Sequence, residues 1–225
     1  PSGHIPFTPR AKKALKKIRF GRSKNIVILN GLITEISHLP REGSTRSDIM
    51  FLGRLVEEKQ PKLAIEVIRL FLSTGWNGHF WLIGQGPLGN ELKEVVNMSG
   101  LNKNISVIQD ADDEFVRTKM FSSFLLLHPS RREGYGLSIV EAAAQGIPTL
   151  LIDYSDNVAV DLNINPGLVS RSDVPLELAN LVNFAFRNQR ELCDESEKWL
   201  AEASKNQTMV KSAQRVSNYF RKAQI

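Results

Sequence analysis

Residues 124–153 read FLLLHPSRREGYGLSIVEAAAQGIPTLLID, and their rhythm decides the fold. FLLLH (124–128) and TLLID (149–153) are apolar and too short to be helices, whereas GLSIVEAAAQG between them carries apolar residues three or four apart. Strand, glycine-bearing loop, helix and strand in succession form the repeating unit of a parallel sheet covered by helices.

The same alternation extends outward on both sides. Further strand candidates are NIVILN (25–30), IMFLG (49–53), HFWLIG (79–84), ISVI (105–108) and GLVS (167–170). Between them PKLAIEVIRLFLST, PLGNELKEVVNM, DEFVRTKMFS and PLELANLVNFAFRN have helical periodicity. The expected class is therefore α/β, a doubly wound, Rossmann-like parallel sheet. GLITEISHLPREGSTRSD (31–48) lacks periodicity and reads as a linker or long loop. The tail from about 195 to 223 bears an apolar stripe that includes Trp199, Leu200 and Met209. Three parts follow: residues 1–45 as basic helix, crossing segment and linker, 46–190 as the Rossmann-like domain, and 191–225 as an amphipathic helical tail.

Composition narrows the function classes. With 225 residues, 42% hydrophobic and 24% charged, the chain is large enough for a core without disulfide or metal. No apolar run approaches the roughly 18 residues of a membrane-spanning helix. One cysteine, Cys193, excludes an internal disulfide and points to a reducing compartment, with the cytoplasm as the default. The net charge of +5 is concentrated in residues 1–50, which hold ten Lys or Arg against three acids. PRAKKALKKIRFGRSK (9–24) would form a helix with Ala11, Ala14, Leu15 and Ile18 on one face. A solvated helix with one docking stripe is the plain interpretation. Attraction to an anionic membrane surface or a phosphate-bearing acceptor is the sharper one, and nucleic acid is weaker because no aromatics interleave the charge. The chain begins with Pro1 and no signal-like segment, which suggests a processed or truncated chain.

Ligands of open parallel sheets collect at the carboxyl ends of strands, so the loops there carry the candidate chemistry. Arg54 and Lys59, after IMFLG, form a cation pair able to grip a diphosphate, or simply two surface cations beside surface acids. Gly84-Gln85-Gly86-Pro87 is a turn that enters a helix at proline. It lacks the third glycine of a dinucleotide fingerprint and the lysine of a P-loop. Gly134 and Gly136 precede a helix whose free N–H groups and dipole suit an anion. Glu133 stands before that helix and Glu141 about two turns along it. Both are expected to accept hydrogen bonds from sugar hydroxyls either side of a phosphate. The competing interpretation makes Glu133 a helix-end charge and Glu141 a solvated residue, although Ile139, Val140 and Ala142 to Ala144 around Glu141 weaken it. His128 reads as a buried, hydrogen-bonded strand-end residue. The four histidines lack metal-ligand spacing, Asp110, Asp112 and Asp113 resemble a helix start, and no GxSxG or Cys–His pair supports a covalent nucleophile.

With those residues in place, the chain resembles the C-terminal domain of the group 1 glycosyltransferases, retaining nucleotide-sugar-dependent enzymes with a GT-B fold. The resemblance runs from about residue 25 to 188 and rests on FLGRLVEEKQPKLAIEVI, WLIGQGPLGNELK and HPSRREGYGLSIVEAAAQGIP. The last, an E-x7-E segment, is the most specific. The resemblance implies that Arg54 and Lys59 contact the donor diphosphate, that Glu133 faces the donor sugar and that Glu141 binds the ribose. It further implies that Gly134, Tyr135, Gly136 and Leu137 offer backbone donors, that Gly84 and Gly86 form a turn near the ligand, and that the base sits near Val107, Gln109 and Asp110. This sequence departs from the family's habit at Gln60, where glycine is usual, at Gln109-Asp110-Ala111, and at Asp153 to Asn157, where a glycine-rich loop is common.

The activity so implied is retaining transfer of a sugar from a UDP-, GDP- or ADP-linked donor to an acceptor hydroxyl, in synthesis of a glycan, cell-envelope polysaccharide or glycolipid. No metal and no cofactor is expected, since the nucleotide sugar is a substrate. An N-terminal Rossmann-like domain is the expected partner, with residues 5–30 resembling its last helix and crossing segment. A lipid-linked or glycan acceptor and peripheral contact with the inner membrane face are further expectations; nucleic acid is not. The alternatives are a non-catalytic nucleotide-sugar-binding or scaffold module and, behind it, a basic nucleic-acid-binding protein.

Overall fold

The computed structural model describes residues 46–162 and 168–206, with single positions at 13, 211, 213, 214, 217, 218 and 221. The expected strand at 25–30, almost all of the basic segment and the far end of the tail lie outside the described residues. Six parallel strands form one sheet: β1 (Asp48–Leu52), β2 (Phe80–Ile83), β3 (Ile105–Ile108), β4 (Ser123–His128), β5 (Thr149–Ile152) and β6 (Val169–Ser170). Among the described residues these helices accompany them: α1 (Pro61–Leu72), α2 (Gly89–Met98), α3 (Asp113–Ser122), α4 (Leu137–Ala144), α5 (Pro175–Arg187) and α6 (Gln189–Asn206).

The order β3-β2-β1-β4-β5-β6 is that of a doubly wound sheet, as expected, and it reverses direction between β1 and β4. All six residues of β4 and all four of β5 are buried, which is why both read as unbroken apolar runs. At the edge, β3 alternates buried and half-buried residues instead. Alternate side chains of the strands feed two cores. Ile49 and Phe51 of β1, with Phe80 and Leu82 of β2, pack with Ile65, Ile68 and Phe71 of α1 and Leu178 and Val182 of α5. Met50, Ile83, Leu126 and Leu151 pack on the other face with Ile139, Ala142 and Ala143 of α4 and Met120 of α3. Burying each large aliphatic side chain contributes roughly 1.5–3 kcal/mol, so these two faces dominate the fold's stability.

Trp199 of α6 packs against Val140 of α4 and donates its indole N–H to Leu162 O (3.1 Å), which docks this residue of the tail on the domain. At the amino edge of the sheet Asp48 accepts from Trp81 Nε1, Ser122 Oγ, Ser47 Oγ and His79 N. Burial opposes its ionisation, but those donors hold the carboxyl below its ordinary range. Asp112 caps α3 by accepting from Phe115 N (2.7 Å), the helix start anticipated there.

Candidate functional site

The reversal between β1 and β4 opens a crevice at their carboxyl ends, where two loops meet. One runs from Gly53 through a short 3-10 turn (Glu57–Lys59) into α1; the other runs from Pro129 to Gly136 into α4. Backbone bonds tie them together, Arg131 N donating to Glu58 O (2.8 Å). The Gln60 side chain reinforces the tie, its amide N–H donating to Pro129 O (2.6 Å) and Tyr154 Oη (3.0 Å) and its oxygen accepting from Arg131 Nε (3.1 Å). Tyr154 Oη in turn donates to Asp173 Oδ2 (2.8 Å). Gln60 has φ of 53°, the one left-handed non-glycine among the described residues, so the glycine usual here in the resembling family has a conformational reason. An open cleft beside this bridge is lined by Glu57, Glu58, Gln60, Lys62, Leu63 and Arg131.

At the centre of the crevice Lys59, on the first loop, forms an ion pair with Glu133, on the second. Lys59 is 8% exposed and also donates to Arg132 O (3.1 Å). His128, 2% exposed at the end of β4, meets the same Glu133 oxygen, Oε2, through Nε2 (3.1 Å). Burial raises the cost of charging Glu133, yet the hydrogen bonds and charges of His128 and then Lys59 prevail and lower its pKa to about 2. The acid is therefore a fixed carboxylate at neutral pH. His128 is the buried strand-end residue anticipated from sequence, but its bond to an acid five positions on was not legible there.

The loop after β5 braces this arrangement. Asn157 is fully buried; it donates to Ser130 O (3.1 Å) and Ile152 O (3.0 Å) and accepts from Ala159 N (3.2 Å). Glu133 N donates to Asp156 O (3.2 Å), and Val158 N to Glu133 O (3.0 Å). Where a glycine-rich loop is common in the resembling family, side-chain and backbone bonds thus fix the main chain of Glu133.

Above the pair lies the start of α4. Gly136 has φ of 83°, and a Cβ there would come within 2.6 Å of Ile139 Cδ1, so this glycine is required. No side chain caps the helix at Gly136, which leaves N–H groups of its first turn open to a ligand. Gly134 is exposed, with nothing within 4 Å of where a Cβ would stand, which leaves room rather than bending the chain. Tyr135 is half-buried against Val140, and Leu137 is an exposed side chain beside its N–H.

Several expected site residues stand differently from the sequence reading. Arg54 is exposed and pairs with Glu58 (2.8 Å), so the two cations are unlike: one on the surface, one buried and paired with Glu133. Glu141 is the fifth residue of α4, little more than one turn in rather than two. Its side chain is exposed, because Ile139, Val140, Ala142 and Ala143 point inward, and its apolar neighbours give no special reason for an acid. Partial desolvation, then the charge of Asp113 on α3, pushes its carboxyl above the ordinary range. Val107 is in the core under α1 and α2, so only Gln109 and Asp110 remain at the open end of β3. The Gln109 side chain lies over Gly89 and donates to Asn90 Oδ1 (3.3 Å). Gly84 and Gly86 are packing glycines: a Cβ would fall 1.8 Å from Gly53 O and 2.4 Å from Leu55 O. Leu55 N donates to Gln85 O (2.8 Å) across that contact, so the turn supports the Arg54 loop. Among the described residues no group of three or more His, Cys, Asp or Glu side chains is placed to hold a metal ion. No helix among them is long and apolar enough to cross a membrane.

The chain is similar in sequence and fold to known proteins. The 2-deoxystreptamine N-acetyl-D-glucosaminyltransferase of Niallia circulans is 26% identical over 114 residues, 51% of this chain and 29% of that protein. An uncharacterized glycosyltransferase of Methanocaldococcus jannaschii is 27% identical over 168 residues, 75% of this chain and 45% of the relative. The chain thus spans less than half the length of these relatives. Among solved structures, a S. aureus TarM variant in complex with Fondaparinux, alpha-GlcNAc-glycerol and UDP superposes with a TM-score of 0.81 at 18% identity, covering 97% of this chain and 43% of that one. Anabaena HepE in complex with UDP gives 0.76 at 20% identity, covering 97% and 63%. The fold is the Rossmann-like fold of GT-B glycosyltransferases. Residues 34–216, most of the chain, match the family model described as glycosyl transferases group 1, and the chain belongs to that family.

Proposed function

We propose that the crevice between β1 and β4 binds a nucleotide-diphosphate sugar and supports retaining transfer of its hexosyl group to an acceptor hydroxyl. The observation that carries this is the Lys59–Glu133 pair joining the two loops at the reversal of the sheet, beside the uncapped start of α4. A helix end and a buried cation favour a diphosphate, while a carboxylate held ionised suits sugar hydroxyls. Among the described residues Arg54 is held by an exposed pair with Glu58, worth less than about 1 kcal/mol, a hold weak enough for the side chain to turn onto the phosphates. Charge growing on the departing diphosphate would meet Arg54, Lys59 and the N–H groups after Gly136, so no metal is called for. Glu133 orients the sugar. Glu141, at the rim, takes the ribose hydroxyls, and Gln109 and Asp110 lie nearest the base.

Two solved neighbours carry UDP, which puts UDP-sugars first in the panel of UDP-, GDP- and ADP-linked donors. The acceptor site would come from a second Rossmann-like domain elsewhere in the protein. The basic stretch at 9–24 suits work at the inner membrane face on a lipid-linked or glycan acceptor, in glycan or cell-envelope synthesis. Calorimetric titration with the donor panel tests the proposal. One donor class should bind, Arg54→Ala should weaken it about tenfold, and a chelator should leave it unchanged. Failure of all three classes, or binding that a chelator abolishes, would contradict it.

A further inference from the structure

Glu133 is gripped on one oxygen. Both Lys59 Nζ and His128 Nε2 meet Oε2, and among the described residues no hydrogen bond reaches Oε1. The two donors differ in how firmly they are placed. Lys59 reaches in from a 3-10 turn on a four-carbon stem, whereas the His128 ring sits on a fully buried strand, stacked on Phe51 with centroids 6.4 Å apart, and is followed by Pro129. A carboxylate can only accept, so His128 Nε2 carries the proton, and Nδ1 is buried with no hydrogen-bond partner among the described residues. One ring nitrogen therefore does all the hydrogen bonding of this histidine, and Glu133 receives it. The charged groups at the ring are Glu133 and, through it, Lys59; β1 presents only the Phe51 ring.

We propose that His128 is a positioning residue for donor binding: with Lys59 it holds Glu133 by Oε2 and thereby leaves Oε1 facing the sugar. The assignment rests on the reading above that Glu133 contacts the donor sugar. Without the His128 hydrogen bond, Lys59 alone would anchor the carboxylate, through a side chain with four rotatable bonds, and the free oxygen would lose its fixed direction.

Three substitutions separate hydrogen bonding from packing. His128→Gln places an amide N–H near the position of Nε2, His128→Asn places one near that of Nδ1, and His128→Leu fills the volume with no donor. Each is measured in two ways. Carboxyl-carbon NMR follows the titration of Glu133. Calorimetry compares UDP, GDP and ADP, each free and conjugated to glucose, galactose or N-acetylglucosamine, and gives the affinity gained by adding the sugar. In His128→Leu and His128→Asn the Glu133 titration should rise by about one pH unit or more, and the gain from the sugar should fall about tenfold, with binding of the free nucleotide unchanged. His128→Gln should retain both properties within about threefold. Loss in His128→Gln equal to that in His128→Leu, both remaining folded, would overturn the proposal, as would a Glu133 titration indifferent to all three. Glu133→Gln serves as reference. If it weakens the sugar's contribution while His128→Leu does not, the proposal alone fails; if it has no effect, the sugar-facing reading fails and takes the proposal with it.

Discussion

Ionised Glu133 is unfavourable to bury, and His128 and Lys59 more than compensate, bringing its pKa from an ordinary 4.5 to about 2. Between those values the unfolded chain binds a proton that the folded chain does not, so stability rises with pH across this window. The contribution is fully present above pH 4.5 and is lost as pH falls towards 2, at most about 3 kcal/mol in total. Urea unfolding at pH 2.5 and pH 6 should show that slope, and Glu133→Gln should flatten it. Gln60 offers a second test. It accepts a left-handed backbone that costs roughly 1–2 kcal/mol and offsets it with bonds to Pro129, Tyr154 and Arg131. Gln60→Ala keeps the cost and drops the bonds, so it should destabilise by about 1–2 kcal/mol, while Gln60→Gly drops both and should be nearly neutral. Denaturant midpoints decide. That Gln60 stood where glycine is usual could be read from the sequence, but how its side chain compensates could not, because Pro129, Arg131 and Tyr154 are distant in sequence.

Elements were the most legible level. β3 matches the sequence reading residue for residue, and β4 and β5 differ from it by one residue each, because short β-branched and aliphatic runs between polar or proline-bearing turns are too short for a buried helix and suit a buried strand. α4 also formed as expected, but its start at Leu137 moved Glu141 closer to the loop than anticipated. The glycine pattern was read less well: Gly134 and Gly136 looked equivalent, yet only Gly136 has a left-handed φ and crowding at its Cβ. Gly136→Ala should therefore cost about 1–3 kcal/mol in thermal unfolding and shift the helix end enough to weaken donor binding, whereas Gly134→Ala should leave stability unchanged. Equal effects of the two would refute the distinction. Gly84 and Gly86, read as a turn near the ligand, are packed against the backbone of Gly53 and Leu55, a structural role for that turn.

At the scale of the molecule, the reversal of strand order brings together residues from separate segments. Lys59 and Glu133 are 74 positions apart in sequence, and no local pattern predicts their ion pair; only the sheet order does. Val107, although near the end of edge strand β3, is buried in the core, while Gln109 is half-buried and Asp110 exposed just beyond it. The same topology explains why the hub at Asp48, on the amino edge, takes no part in the site. The central claim is that a nucleotide sugar occupies this crevice, over the paired Lys59 and Glu133 and against the start of α4. Backbone amide NMR during titration with UDP-, GDP- and ADP-sugars tests it directly. Perturbations concentrated at residues 53–60, 109–110 and 131–141 are the predicted result; perturbations centred on the amino edge around Asp48 and His79, or none with any donor, would contradict it.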